Sequence, residues 1–318
     1  KDNQDTWQRA EIVVSTVQTM LAGDRYRKAF SPTDFELVIS DEAHRSIGGN
    51  SRAVFEYFVG YKLGLTATPK DYLRGFDAEG SNSQREFERR ELLSTYRTFG
   101  CQPGEPTFSY SLIDGVKDGF LINPSVVDAR TEITTELLSE KGYAVHAVND
   151  DGEAVDDVFH GRDFERNFFN QETNIAMCKA FIDNGFMDPI ADKYSKALFG
   201  KSIIFCISQR HAAKITNILN KLAQTKWPGV YDQSNFAVQI TSQVRDAQQM
   251  TNQFANNALL GRSSVLEGYD TSKARVAVTV GMMTTGYDCQ DILNLALMRP
   301  VFSPADFVQM KGRGTRKF

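Results

Sequence analysis

Short apolar runs and helical patterns alternate along the second half of this chain. The apolar runs lie at 202–206, 237–240, 276–280 and 292–297, and the amphipathic patterns lie at 173–184, 211–222 and 245–260. Continuous apolar runs are typical of strands covered on both faces of a parallel sheet, and the helices between them form its crossovers. The pattern therefore predicts an α/β fold with parallel sheets.

The first half carries a less regular version of the same pattern. The predicted strands lie at 12–15, 37–39, 61–65, 107–112 and 124–129, and the predicted helices at 51–59 and 114–120. An acidic, weakly periodic stretch then runs to about residue 161 and suits a connector. We therefore expect a first domain at 1–130, a connector at 131–165 and a second domain at 166–318.

Composition narrows the class of protein. The 318 residues are 41% hydrophobic and 24% charged, with a net charge of -4 and no apolar run long enough to cross a bilayer. The four cysteines are far apart, which argues against a zinc site and favours a reducing compartment such as the cytoplasm. A negatively charged chain can bind nucleic acid only through local amides, hydroxyls and a few basic side chains.

Two motifs in the first half follow predicted strands. Asp41, Glu42 and His44 come directly after an apolar run, at the position where a doubly wound sheet binds its ligands. Acidic pairs after a strand are often only exposed to solvent and have no role in binding, so a second motif is needed to indicate a ligand site. The residues from Thr66 to Pro69 end the next strand in a rigid polar loop, because proline ends regular structure. Together the motifs predict a nucleotide site.

A third motif, from Gly281 to Asp288, combines glycines with threonine hydroxyls after another strand. Glycines let a ligand approach the backbone, and hydroxyls can hydrogen-bond to it. The alternative is an ordinary strand-to-helix turn. Thr16 and Gln18 also have two interpretations, which are contact with a phosphate backbone or capping of the helix that starts near Val17.

The C-terminal segment contains Gln309, Arg313 and Arg316, spaced four and three residues apart, so we expect them to share one helix face. Gly312 and Gly314 would each cost about 1 kcal/mol in a helix interior, which indicates close approach by another body. Arginines in this setting suit an arginine finger, which neutralises charge on a transferring phosphoryl group. A basic helix end that complements the helix dipole is the alternative.

A short sequence match to a phosphate-binding loop is rejected. Gly200, Lys201 and Ser202 have the letters that end a phosphate-binding loop, but Ser195 stands where that loop needs its first glycine. The lysine of such a loop also opens a helix, whereas Lys201 precedes a predicted strand. No complete phosphate-binding loop occurs in the sequence.

The accepted motifs together resemble those of a superfamily 2 motor; they lie at 41–46, 65–69, 284–288 and 309–316. The Asp-Gly-Phe-Leu turn at 118–121 and the strand at 294–300 narrow the resemblance to the motor (R) subunit of type I restriction enzymes. The resemblance implies two RecA-like P-loop NTPase domains, the first without its N-terminal phosphate-loop portion. We therefore expect the chain to be a fragment of a longer protein.

The resemblance also implies roles for the motif residues. In the first domain, Asp41 would hold Mg²⁺, Glu42 would polarise the attacking water, and His44 would couple the nucleotide site to the partner domain. Thr66 and Thr68 would relay the state of the nucleotide site.

In the second domain, Gly286 and Asp288 would contact ATP. Arg313 and Arg316 would contact its γ-phosphate, with Gln309 beside them. The residues implied at DNA phosphates are Thr16, Gln18 and Thr285.

The implied function is an ATP-dependent DNA translocase core, which moves duplex DNA before cleavage by a nuclease domain outside these residues. The implied cofactors are ATP and Mg²⁺, and the implied partners are double-stranded DNA and the modification and specificity subunits. These residues alone are expected to bind ATP weakly and not to hydrolyse it. The alternatives are a stand-alone superfamily 2 helicase or repair translocase, and a non-enzymatic scaffold that would need neither Glu42 nor the two arginines.

Overall fold

The structure, a computed structural model, describes residues 7, 9–46, 48–71, 93–127, 171–194, 198–284, 286–301 and 304–317. The chain divides into two compact units, unit 1 at Lys1–Tyr110 and unit 2 at Ser111–Phe318. Residues 111–127, which we expected in the first domain, group with unit 2. The expected connector at 131–165 lies outside the described residues, so the domain boundaries stay a prediction.

Unit 1 contains a parallel pair of strands with short helices. Its elements are α1 (Val17–Leu21), a 3-10 turn (Ala22–Asp24), α2 (Arg25–Ala29), β1 (Leu37–Ser40), α3 (Ala43–Ser46), α4 (Gly49–Tyr57), β2 (Tyr61–Gly64) and α5 (Thr95–Thr98). Leu37 pairs with Tyr61 and Ser40 with Gly64. A buried cluster in this unit contains Tyr26, Phe30, Val54 and Phe58, and Val38 of β1 packs against it. The strands predicted at 37–39 and 61–65 are confirmed.

Residues 12–15 form no strand, which corrects the expectation from their β-branched side chains. Ile12 and Val14 are 82% and 92% exposed. Strand preference reflects packing on a sheet rather than the backbone alone, and among the described strands only β2 pairs with β1. The strands predicted at 107–112 and 124–129 are also wrong over their described residues, which end at 127.

Unit 2 contains most of the regular structure. Its elements are α6 (Leu112–Lys117), α7 (Gln171–Asn184), α8 (Pro189–Lys193), β3 (Ser202–Cys206), α9 (Gln209–Lys226), β4 (Ala237–Gln239), α10 (Ala247–Ala255), β5 (Arg262–Leu266), β6 (Tyr269–Ser272), β7 (Val276–Thr279), β8 (Asn294–Met298), α11 (Pro304–Lys311) and a 3-10 turn (Gly312–Gly314). The four strands predicted here are confirmed as one parallel sheet in the order β4-β7-β3-β8.

Both faces of this sheet are covered. Along β3, Ile204 packs in one buried cluster with Leu219 of α9, while Ile203 and Phe205 pack in another with Phe254 of α10. Successive strand residues point to opposite faces, so a strand between two helical layers must be apolar throughout. This arrangement explains the uninterrupted apolar run at 202–206.

The antiparallel hairpin β5–β6 was not predicted from the sequence. Its two-residue turn is Glu267-Gly268, and Gly268 has φ 85°. A glycine in a two-residue turn is a recognised hairpin signal, so this element was accessible to sequence reasoning. None of the described helices is both long and apolar enough to span a membrane.

Candidate functional site

The acidic motif lies at the carboxyl end of β1. Asp41 is exposed, and its Oδ1 accepts a hydrogen bond from the backbone N–H of Glu42 at 2.9 Å. Glu42 has φ 49°, a left-handed conformation that costs a residue with a Cβ about 1 kcal/mol. Strained residues of this kind cluster at functional sites. The turn therefore holds two carboxylates at the edge of the sheet where ligands bind.

His44 joins the two motifs of unit 1. Its side chain is buried, and its Nδ1 lies 2.8 Å from Thr66 Oγ1 and 3.4 Å from Thr68 Oγ1. The same nitrogen lies 3.5 Å from Glu42 Oε2. Thr66 Oγ1 also accepts a hydrogen bond from the N–H of Thr68 at 3.0 Å, so its own proton can be donated to the imidazole. The structure brings these four residues together, and their coupling role stays a prediction.

Thr16 is the N-cap of α1, where its Oγ1 accepts a hydrogen bond from the N–H of Thr19 at 3.1 Å. The capping interpretation therefore applies to Thr16. Both Thr16 and Gln18 are exposed, so each side chain is accessible to a ligand. Their contact with DNA phosphates stays a prediction.

In unit 2, the loop after β7 carries the expected nucleotide contacts. Gly286 has φ 65°, a conformation that glycine adopts without steric cost. The carboxylate of Asp288 is 71% exposed and its Oδ1 pairs with Nη1 of Arg316. Burial lowers the pKa of the Arg316 guanidinium, which nevertheless stays charged because arginine is not deprotonated in proteins. Thr285 lies outside the described residues.

Arg313 binds the backbone of the same loop. Its Nε donates a hydrogen bond to Thr284 O at 3.0 Å, and its Nη1 donates to Tyr287 O. Two of its nitrogens are therefore directed at protein carbonyls. Gln309, one helical turn earlier, is buried.

The expectation that Gln309, Arg313 and Arg316 share one helix face is wrong. Helix α11 ends at Lys311, the next three residues form a 3-10 turn, and Arg316 lies beyond it in an isolated bridge with Leu121. The tighter turn changes the angular spacing, so positions four and three apart no longer align.

Gly314 packs closely against the sheet of unit 2. A Cβ added there would lie 2.8 Å from Cδ1 of Leu295 on β8, whereas one added at Gly312 would meet nothing within 4 Å. The close approach that we expected from the two glycines is therefore made by the sheet itself, at Gly314 only.

A buried ion pair supports the loop that carries Asp288, and sequence reasoning missed it. Lys201 Nζ lies 2.8 Å from Asp291 Oδ1 and 2.9 Å from Asn257 Oδ1. Burial alone would raise the pKa of Asp291, but the Lys201 ammonium and several hydrogen bonds hold it below its usual range. The lysine rejected as a phosphate ligand thus holds the start of β3 to this loop.

A second buried ion pair was also missed. Arg275 Nη2 lies 2.9 Å from Asp188 Oδ2, and both side chains are almost fully buried. The hydroxyl of Tyr269 donates to the same carboxylate oxygen at 3.0 Å, and burial raises the pKa of that tyrosine. This cluster ties the β5–β6 hairpin to α8. No local pattern could reveal it, because Asp188 and Arg275 are 87 positions apart.

The donor set at β1 fits a magnesium ion that is shared with phosphates. Mg²⁺ in nucleotide sites usually takes one or two carboxylates and completes its shell with phosphate oxygens and water. Exposed Asp41 beside half-buried Glu42 offers that number of carboxylates. Over the described ranges, no group of three or more His, Cys, Asp or Glu side chains could hold a metal ion by itself.

The chain is similar to components of restriction enzymes. Residues 1–71 match the family model described as "Type III restriction enzyme, res subunit". The type I restriction enzyme EcoKI endonuclease subunit of Escherichia coli (strain K12) is 25% identical over 96% of this chain and 24% of its own length. The type I restriction enzyme EcoAI endonuclease subunit of Escherichia coli is 27% identical over 96% of this chain and 33% of its own length. The chain thus spans 24% to 33% of the length of these curated relatives.

A solved structure supports the fold. The ATP-dependent Type ISP restriction-modification enzyme LlaBIII bound to DNA matches 96% of this chain and 18% of its own, with a TM-score of 0.51 at 18% identity. The fold class expected from the motifs, α/β with the parallel sheets of RecA-like domains, is therefore confirmed. Together, these comparisons also confirm the resemblance that the motifs indicated: across nearly its whole length, this chain resembles the endonuclease (R) subunits of type I restriction enzymes.

Proposed function

We propose that this chain is the motor part of a type I restriction enzyme R subunit and couples ATP hydrolysis to movement along duplex DNA. The observation that carries this proposal is the position of His44 between Glu42 and Thr66. A buried imidazole that contacts both a carboxylate and the polar loop after β2 can link a change at the carboxylate to the conformation of that loop. Such a link is what a motor requires between hydrolysis and movement.

The carboxylates of β1 supply the chemistry of unit 1. Asp41 would hold Mg²⁺ through water, and the ion would supply positive charge against the phosphates of ATP. Glu42 accepts a hydrogen bond from the attacking water and orients it. Glu42 has a left-handed backbone, and its Oε2 lies 3.5 Å from Nδ1 of His44. His44 and the hydroxyls of Thr66 and Thr68 then respond to the charge on that carboxylate.

The arginines of unit 2 supply the positive charge. Arg316 provides a guanidinium for the γ-phosphate, which takes the place of the Asp288 carboxylate as its partner. Arg313 holds the backbone of the loop that carries Gly286 and Asp288, and Gln309 is buried one helical turn before it. This assignment gives Arg316 the more direct role.

DNA is bound through short-range contacts, because the chain is negatively charged overall. Exposed Thr16 and Gln18, together with Thr285, contact phosphates of the duplex and carry no sequence information. Recognition of the DNA sequence belongs to a specificity subunit, methylation to a modification subunit, and cleavage to a nuclease domain outside these residues.

The test is ATP hydrolysis by the intact protein with DNA, comparing Glu42→Gln with wild type. The amide keeps the size of the side chain but loses the charge that orients water, so we expect hydrolysis to fall by about 10²-fold or more while nucleotide binding persists. Exposed Glu36, directly before the same strand, offers a matched control, and Glu36→Gln should hydrolyse ATP like the wild type.

Arg316→Ala provides the second arm of this test. Loss of an arginine that stabilises transition-state charge should lower ATP hydrolysis by about 10³-fold, with a much smaller effect on DNA binding. Turnover at the wild-type rate in either Glu42→Gln or Arg316→Ala would contradict the proposal.

A further inference from the structure

The Asp-Gly-Phe-Leu turn at 118–121 has no role in the proposed function. It belongs to Ser111–Ile122, the first segment of unit 2, which we call the strap. The strap begins directly after Tyr110, the last residue of unit 1, and it contacts the segment that carries Arg316.

The strap has well-defined ends. Ser111 Oγ accepts a hydrogen bond from the N–H of Asp114 at 3.1 Å, and the Asp114 carboxylate accepts one from the N–H of Ser111 at 3.0 Å. This capping box starts α6. Hydrogen bonds from Ser111 lower the pKa of the Asp114 carboxyl.

Gly119 lies two residues beyond the end of α6 and turns the chain back. It has φ 77°, its N–H donates to Val116 O at 3.1 Å, and the N–H of Phe120 donates to Gly115 O at 2.9 Å. These two bonds form a Schellman motif, which needs a left-handed residue at this position. An added Cβ at Gly119 would meet nothing within 4 Å, so the requirement is one of backbone conformation rather than space.

Beyond the turn, the strap pairs with the residues around Arg316. Leu121 forms an antiparallel bridge with Arg316, and the N–H of Ile122 donates to Thr315 O at 2.8 Å. Lys317 Nζ donates to Gly119 O at 3.3 Å. The strap therefore contacts the residue before Arg316, Arg316 itself and the residue after it.

We propose that the strap is a positioning element that sets the direction of the Arg316 guanidinium. Arg316 lies beyond the end of α11 and its 3-10 turn, so no helix fixes its backbone. The strap supplies the missing constraint by pairing with it, and the side chain then reaches Asp288. This inference rests on the proposed function, in which Arg316 meets the γ-phosphate.

The test uses two substitutions at Gly119 in the intact protein. Gly119→Val forces a β-branched residue into a left-handed conformation, whereas asparagine adopts that conformation readily and serves as the matched control in Gly119→Asn. Amide hydrogen exchange at Ile122 measures the pairing directly. We expect exchange about tenfold faster in Gly119→Val and close to wild type in Gly119→Asn.

Kinetics test whether the strap acts through Arg316. Misplacement of a catalytic group by about 1 Å can cost about 10²-fold, so we expect Gly119→Val to lower kcat by up to that factor with little change in KM. In an Arg316→Ala background, Gly119→Val should cause no further loss, because the group that the strap positions is already absent. Gly119→Asn should retain wild-type kcat.

The outcomes separate the two proposals. A wild-type protein that does not hydrolyse ATP would overturn the proposed function. With hydrolysis present, the strap proposal is overturned if the losses from Gly119→Val and Arg316→Ala multiply, if Gly119→Asn is as impaired as Gly119→Val, or if exchange at Ile122 is unchanged. Faster exchange at Ile122 together with a single, shared loss of kcat supports it.

Discussion

Replacing Lys201 with methionine tests how the loop of Asp288 is held in place. Lys201 is 1% exposed and Asp291 13% exposed, and Nζ lies 2.8 and 3.1 Å from the two carboxylate oxygens. The ammonium also lies 4.9 Å from the ring centroid of Phe254. Lys201→Met keeps the apolar stem of the side chain but leaves the Asp291 carboxylate buried without its cation.

The size of the effect follows from that unpaired charge. Removing one partner of a buried ion pair costs about 3–5 kcal/mol, whereas replacing both partners with apolar residues is often neutral. Asn257 continues to donate one hydrogen bond to Asp291 at 2.9 Å, which favours the lower end of that range. We therefore expect Lys201→Met to lose about 3 kcal/mol of unfolding free energy, and Lys201→Met/Asp291→Leu to recover most of it.

The same change should alter the pH dependence of stability. In the wild type the pKa of Asp291 is lowered on folding, so its contribution to stability is present above the unfolded pKa of about 3.9 and is lost as pH falls through the folded value. Without Lys201, burial raises the pKa of Asp291, and the penalty is then relieved by protonation. The difference between wild type and Lys201→Met should therefore shrink on going from neutral pH to about pH 4.

Urea unfolding of the 318-residue chain, followed by tryptophan fluorescence, measures this loss. The sequence has two tryptophans, and Trp227 packs against Phe199 and Phe236 in unit 2. A Trp7→Phe background therefore reports unit 2 alone. Exposed Lys221 on α9 provides a control, because Lys221→Met should change stability by less than about 0.5 kcal/mol.

Two results would refute this reasoning. The first is a loss at Lys201→Met no larger than at Lys221→Met, which would mean that the ion pair contributes nothing. The second is a double variant, Lys201→Met/Asp291→Leu, as unstable as the single one, which would mean that the unpaired carboxylate does not cause the loss.

Two further pairs of substitutions test other parts of the site. Gly314→Ala should destabilise unit 2 by about 1–3 kcal/mol, because the new methyl group would lie 2.8 Å from Leu295. Gly312→Ala should be neutral or slightly stabilising, because a methyl group there meets nothing within 4 Å. Thermal unfolding of the two variants measures the difference. His44→Ala should destabilise unit 1 by about 1–3 kcal/mol. This loss should be non-additive with the loss from Thr66→Val, because both substitutions remove the same contact between the two side chains. Simple addition of the two losses in a double-mutant cycle of urea unfolding would contradict that contact's contribution.

Elements buried on both faces could be predicted from the sequence. The strand at 202–206 is uninterrupted because helical layers cover both of its faces. Residues 12–15 have the same β-branched character but form no strand. Ile12 and Val14 are exposed, and none of the described strands pairs with this segment, so the local preference had no partner strand to support it.

The candidate site was predictable at its motif residues and not in its supporting contacts. The acidic residues after β1 and the threonines after β2 were identified from their positions after predicted strands and from the resemblance, and the structure places His44 in contact with Glu42 and Thr66. The partners of Lys201 are 56 and 90 positions away, and nothing in the local pattern of Gly200 to Ser202 indicates them. Arg316 was placed on a helix face because the 3-10 turn before it could not be foreseen from spacing alone.

The most direct test of the account is whether Glu42 and Arg316 act in one reaction step. The measurement is kcat for DNA-dependent ATP hydrolysis by the intact wild-type protein, Glu42→Gln, Arg316→Ala and the double variant. Residues that act as a unit in one transition state are strongly non-additive, so we expect the double variant to be about as slow as the slower single variant. A double variant whose loss equals the product of the two single losses would contradict a shared catalytic step.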